Sequence, residues 1–209
     1  MIASDPRSLW LRQLRLEGKE LDADGRLVRL PGVEPDPIPD CAVTRFADHD
    51  ELSFSSTADA ALLGLLRGVD PSRFFTASDD AWLTAHRLSV LRCSTYRFAE
   101  PVAAGRDGPA EVVRRGPESF TVIADGTPVA WAESVRSDDE SAELWVHTDP
   151  AHLRRGYASR AATAWAVAIT GSGRTAFYSH LAANEPSRRL ARSLGVTHLF
   201  ELAALTAEP

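Results

Sequence analysis

The chain has 209 residues, enough for one sizeable domain or a domain with an extension. Hydrophobic residues make up 44% and charged residues 25%, ordinary proportions for a folded globular protein. A formal charge of −6 argues against a nucleic-acid partner, which selects basic faces, and fits a cationic or amine-bearing substrate.

Cys41 and Cys93 are too few and too far apart for a disulfide framework or a metal site, so no metal is expected. The first twenty residues lack the apolar run of a signal peptide or membrane span. A cytoplasmic protein with no membrane partner is the expectation.

Asp5 and Pro6 mark a helix start, with Leu9, Trp10 and Leu14 on its apolar face and Gly18 as its stop. GRLVRL, residues 25–30, reads as a strand. The next stretch carries Pro31, Pro35, Pro37 and Pro39 and is a stiff connection or a boundary. CAVTRF, residues 41–46, is a second strand. Ala58, Leu62 and Leu65 or Leu66 give one helical face ending at Gly68. Ser78, Asp79 and Asp80 begin another helix, with Trp82, His86 and Val90 at four-residue spacing; His86 reads as a packed, hydrogen-bonded residue. CSTYRF, residues 93–98, alternates like a strand, and residues 99–118 are punctuated like a loop.

Regularity then improves. SFTVIA, Asp125-Gly126 and TPVAWAESV give a hairpin signal. AELWVHT follows as a strand, and Asp149-Pro150 breaks it. From Gly156 on, after LRR, Ala158, Ala162, Trp165 and Ile169 lie on one face of an alanine-rich helix that ends at Gly171 and Gly173. TAFYS is the next strand, residues 186–194 form a short helix closed by Gly195, and HLFEL, residues 198–202, is the last strand.

A strand entering a helix through a glycine turn leaves N–H donors at the positive end of the helix dipole, a setting that attracts phosphate. Arg154 and Arg155 add charge there. On these residues alone, a helix start carrying two solvated arginines is an equal reading.

The order of motifs goes further. VHTDPAHLRRGYAS resembles the coenzyme A-binding motif of the Gcn5-related N-acetyltransferase (GNAT) superfamily, of FR47-like type, whose core reads (Arg/Gln)-x-x-Gly-x-(Gly/Ala). Gly156 and Ala158 match its last two positions, and Leu153 stands where Arg or Gln is usual. FYSHLAANEPSRRLARSLG resembles the family's next strand, an Asn and a short helix ending in Leu-Gly. Here Ala191 stands where many members have Tyr. The resemblance covers roughly Ser119 to Leu202.

It implies an α/β fold, a GNAT-like mixed, mostly antiparallel sheet flanked by helices, with residues 119–209 as the acetyl-CoA-binding core. Residues 1–118 form an N-terminal region that completes the sheet or covers the acceptor site. With HLFEL so near the end, the usual further strand is missing. GRLVRL, CAVTRF or a second subunit in a homodimer is expected to cover that edge.

The resemblance also implies an N-acetyltransferase that moves acetyl from acetyl-CoA to a primary amine, small molecule or peptide, by direct attack in a ternary complex. The alternative is a degenerate domain that binds acyl-CoA as a sensor or assembly module. Pyrophosphate falls to Arg154, Arg155 and the amides of Gly156, Tyr157, Ala158 and Ser159, with Tyr157 packing on the coenzyme. Pantetheine falls to the strand edge at Val146, His147 and Thr148, with Asn184 and Ser187 beside it. Asn184 and Ser187 read equally as helix caps. For the base, Glu143 leads, with Glu133 and His147 as rivals. Glu143, Trp145 and His147 share one strand face, and Trp145 would line the acceptor pocket. Glu143 and Glu133 also read as ordinary carboxylates on a solvated face. Ser193, Tyr178, His180 or water replaces the absent tyrosine as proton donor.

Overall fold

The structure is a computed structural model, described over residues 5–32, 37–76, 79–99 and 110–208. Pro35 of the proline-rich stretch, Ser78 and residues 100–109 of the expected loop lie outside the described residues. The chain divides into two compact units. One comprises Met1–Thr95, Leu181–Ala183 and Leu199–Pro209; the other comprises Tyr96–His180 and Asn184–His198.

In the first unit, α1 (Pro6–Leu16) opens as expected, with the Asp5 carboxylate accepting from the Ser8 amide at 3.0 Å. β1 (Lys19–Leu21) and β2 (Leu27–Arg29) pair as a separate two-stranded sheet, so GRLVRL supplies a hairpin arm and covers no strand of the main sheet. β3 (Cys41–Arg45) pairs antiparallel with β4 (Asp50–Phe54) over its full length. α2 (Ala60–Arg67) is capped by Asp59. α3 spans only Asp80–Ala85, and Val90 belongs to β5 (Leu88–Arg97), not to that helix. The four-residue spacing therefore ran across a helix end. His86 is structural, its Nδ1 2.8 Å from the Trp82 carbonyl and its ring against the Trp82 indole.

β11 runs from Thr197 to Ala207, well past the expected end at Leu202, because nothing in LAALTA breaks an extended chain. Glu201–Leu205 lie antiparallel opposite Arg45–Cys41, so β3, the CAVTRF segment, is the neighbour that the last strand was expected to need. The order within this unit is β4-β3-β11-β5. Cys41, Val43, Leu66, Phe74, Leu83, Ala203 and Leu205 form its core. Burial pushes the Cys41 thiol up to about 12, which leaves it inert.

The second unit carries the order β6-β7-β8-β9-β10. β6 (Glu111–Gly116) falls inside the stretch read as loop. It is a charged edge strand with no fully buried residue, so it lacks the apolar alternation of a central strand. β7 (Ser119–Ala124) and β8 (Thr127–Ser137) form the expected hairpin, with Asp125 at φ 50° and Gly126 at φ 76° in a type I′ turn. β9 (Ser141–Thr148) lies antiparallel to β8, with a register shift at Val135. α4 (Tyr157–Gly171) returns across the sheet, and β10 (Thr175–Leu181) runs parallel to β9, which makes the sheet mixed. α5 (Glu185–Leu194) closes at Gly195, φ 64°.

The core of this unit lies between one sheet face and α4. Ala161, Ala162, Trp165, Ala166 and Ile169 pack against Ala130, Ala132, Ala142 and Leu144. The alanines let the helix approach the sheet closely. Trp165 fills the remaining space, its Nε1 donating to Ser134 Oγ at 3.0 Å.

Candidate functional site

β9 and β10 pair over only three registers, Thr175 with Ser141, Ala176 with Ala142, and Phe177 with Glu143. Beyond Glu143 the two strands form no ladder, although β9 continues to Thr148 and β10 to Leu181. On its other side β9 stays paired with β8 up to Thr148 opposite Ala130. The β10 side of Leu144–Thr148 is therefore an open strand edge. Val146 and Thr148 there are half-buried. The Thr148 hydroxyl oxygen is buried without a hydrogen-bond partner, a group that awaits a donor or acceptor.

The open edge leads into a tight approach to α4. Asp149 caps a single 3₁₀ turn, Pro150–His152. Arg154 and Gly156 then adopt left-handed φ values of 62° and 81°. Arg154 is not a glycine, and holding it there stores strain of order 1 kcal/mol. Gly156 is the N-cap of α4 and no side chain caps the helix; the first internal bond runs from the Arg160 amide to the Gly156 carbonyl at 3.1 Å. The opening amides are thus left to solvent or to an anion. Arg154 and Arg155 are exposed beside them. A Cβ on Gly156 would meet no atom within 4 Å. The glycine is required by its dihedral and not by crowding from the protein.

The other expected contacts are placed variously. Tyr157 is half-buried, packs against the core and lies 6.4 Å from the His152 ring. Ala158 and Ser159 are half-buried in the first turn of α4. Asn184 Oδ1 accepts from the Ser187 amide at 3.1 Å, so Asn184 serves as a helix cap. The Ser187 carbonyl accepts from the Tyr178 hydroxyl at 3.4 Å. Burial pushes Tyr178 above its ordinary value, and the bond to Ser187 only partly offsets this. Ser193 donates to the Leu190 carbonyl. Ala191 is buried in the core, where a larger side chain would not fit unchanged. His180 is buried and stacks on Tyr96, centroids 5.4 Å apart.

Of the carboxylates, Glu143 sits at the point where the strands part and is buried. Arg136 lies opposite it on β8, its guanidinium 2.5 Å from Glu143 Oε2. The sequence reading missed Arg136, because the bulge at Val135 is what carries it opposite Glu143. Glu133 and His147 are exposed on the same sheet face, opposite Trp145 and Trp131 respectively. Among the described residues, no group of three or more His, Cys, Asp or Glu is placed to hold a metal ion.

The family model for FR47-like proteins matches residues 122–203, the span that holds the parted strands, the α4 turn and α5. The match covers less than half of the chain, and over that span the chain is similar to FR47-like proteins. Among solved structures, a GCN5-related N-acetyltransferase from Kribbella flavida is 18% identical, with all of this chain and 97% of that one covered and a TM-score of 0.53. A GNAT-family acetyltransferase from Novosphingobium aromaticivorans is 20% identical, covering 58% of this chain and 66% of that one, with a TM-score of 0.46. The match spans just under two thirds of that relative's own length. At 18% identity the likeness to the Kribbella flavida protein speaks to fold alone. Comparison with curated proteins finds no match. Gly156 and Ala158, the two residues on which the sequence resemblance rested, stand at the N-cap and in the first turn of α4, and Leu153 is 56% exposed.

Proposed function

We propose that the chain is an N-acetyltransferase that uses acetyl-CoA to acetylate primary amines. One observation carries the reading: β9 and β10 part immediately before an uncapped helix start flanked by two exposed arginines. Bound acetyl-CoA supplies a thioester whose carbonyl carbon accepts the amine. Arg154, Arg155 and the amides from Gly156 to Ser159 hold its pyrophosphate. The β9 edge at Val146, His147 and Thr148 pairs with the pantetheine amides, and the Thr148 hydroxyl gains the partner it lacks.

The amine attacks only when neutral, so an ammonium must first lose a proton. Glu143 is poorly placed to take it, since Arg136 stabilises its charge from 2.5 Å. Its role is then to fix the point of parting. Glu133 and His147 are exposed on the same face, and His147 takes the proton while Glu133 holds the ammonium. With Ala191 in the core and Ser193 and Tyr178 bonded to carbonyls, solvent protonates the departing thiolate. No described helix is long and apolar enough to cross a membrane, and we place the activity in the cytoplasm.

Calorimetric titration with acetyl-CoA tests this. Wild type is expected to bind in the micromolar range, about −8 kcal/mol, and Arg154→Glu/Arg155→Glu to lose that binding. Failure of the wild type to bind removes the proposal. The Arg136–Glu143 pair and the buried Ala191 favour a second reading, an acyl-CoA sensor without turnover. Binding that persists with no thiol released across a panel of amines would select it.

A further inference from the structure

The sheet face turned away from α4 carries a row of three rings. Trp131 and His147 stand opposite each other on β8 and β9, with centroids 5.7 Å apart and planes 26° from parallel. Trp145, two residues back along β9, lies 5.9 Å from His147 at 16°. His147 and Trp145 both belong to the part of β9 that has left β10. Trp145 is 44% exposed, and a large indole left open beside a cleft points to a ligand.

The charge on this face has one sign to spare. Glu133 lies directly opposite Trp145 and is exposed, with their Cβ atoms on the order of 5 Å apart. Arg136, on the same face, is committed to Glu143.

Resting on the acetyltransferase reading above, we infer that this row is the acceptor subsite and that it takes an arylalkylamine, a flat aromatic group bearing a primary ammonium on a short chain. The rings stack on one another, and the exposed face of Trp145 at the end of the row is free to stack an aromatic group or receive a cation. Glu133 supplies the carboxylate that an ammonium requires and that an anion would avoid. A purely aliphatic amine would satisfy Glu133 and leave the rings unused.

Once seated, the ammonium gives a proton to His147. The amine lone pair then forms the C–N bond to the acetyl carbonyl carbon. The C–S bond breaks with its electron pair on sulfur, the new amide nitrogen gives its second proton to water, the thiolate takes a proton from water, and His147 returns its proton to solvent.

The probes are phenethylamine and n-hexylamine, similar in reach and charge. Thiol release is followed at saturating acetyl-CoA in wild type, Trp145→Ala and Glu133→Gln, with thermal melting to confirm folding. Wild type is expected to show a KM for phenethylamine about tenfold below that for n-hexylamine, the scale of one good aromatic contact. Trp145→Ala should erase the difference, and Glu133→Gln should raise both KM values together. Equal or reversed preference in wild type, or a preference that survives Trp145→Ala, overturns the inference while leaving acetyl transfer intact. A separate titration without acetyl-CoA follows indole fluorescence. If no thiol is ever released, a saturable response to phenethylamine that Trp145→Ala abolishes still supports the subsite. Absence of that response sinks it.

Discussion

Gly156 holds φ at 81°, and a Cβ there would find nothing within 4 Å, so space is available and the conformation is what an L side chain resists. Gly156→Ala is therefore expected to cost about 1–2 kcal/mol, read as a lower urea midpoint, and to weaken acetyl-CoA binding more than it weakens folding. An affinity equal to wild type would detach the turn from the site. The Arg136–Glu143 pair invites a different comparison. The Glu143 side chain is 6% exposed and that of Arg136 27%, so the carboxylate depends more on the guanidinium than the reverse. Arg136→Met should destabilise by roughly 3 kcal/mol, the scale of a buried pair broken on one side, whereas Glu143→Gln should cost less. Urea unfolding of both variants decides it. Glu143 was legible in the sequence as a lone acid in an apolar strand. Its partner was not, since a register shift of one residue at Val135 cannot be read from alternation.

At the scale of elements, legibility followed the strength of local signals. α1, α2 and the β7–β8 hairpin were announced by Asp5-Pro6, by the apolar face of Leu62 and Leu65 or Leu66 with Gly68, and by Asp125-Gly126. β4 and β6 were missed because edge strands carry charge where central strands carry apolar residues. The α4 face was correct in kind and incomplete in detail. Ala161 and Ala166 are fully buried as well, because an alanine-rich helix can press a wider face onto the sheet. Trp165 is the large residue in that face, with its ring edge-on to Phe98 and its Nε1 bonded to Ser134. Trp165→Ala should cost about 3–5 kcal/mol. Trp165→Phe should cost less, because it keeps most of the volume and forfeits mainly the hydrogen bond. If urea unfolding found the two variants equal, volume would not be what Trp165 contributes.

At the scale of the molecule, the sequence reading named Trp145 for an acceptor pocket but not Trp131, because Trp131 lies on β8 and meets His147 of β9 only through register. It also gave no warning of how acid should act on the fold. Asp5, Asp48, Asp70 and Asp79 are all held below the ordinary carboxylate range, chiefly by hydrogen bonds from Ser8, His49, Ser72 and Thr76. Partial burial pushes Glu118 up, but hydrogen bonds from Ser134, Arg174 and Ser137, with the Arg174 charge, outweigh it and leave Glu118 lowered as well. A carboxyl whose pKa is lower folded than unfolded stabilises the fold above its unfolded value. That contribution disappears as pH falls through the folded value. Stability should therefore vary little on account of these carboxyls above about pH 5 and decline steadily below about pH 4, with a separate alkaline loss above about pH 9 as the buried Cys41 thiol resists ionisation. Glu118→Gln should remove part of that decline, being less stable than wild type at pH 7 and nearer to it at pH 3. Urea midpoints measured for both proteins across this range check the sign. A gap that widened on acidification would mean that Glu118 is not held ionised by Arg174 and its serine neighbours.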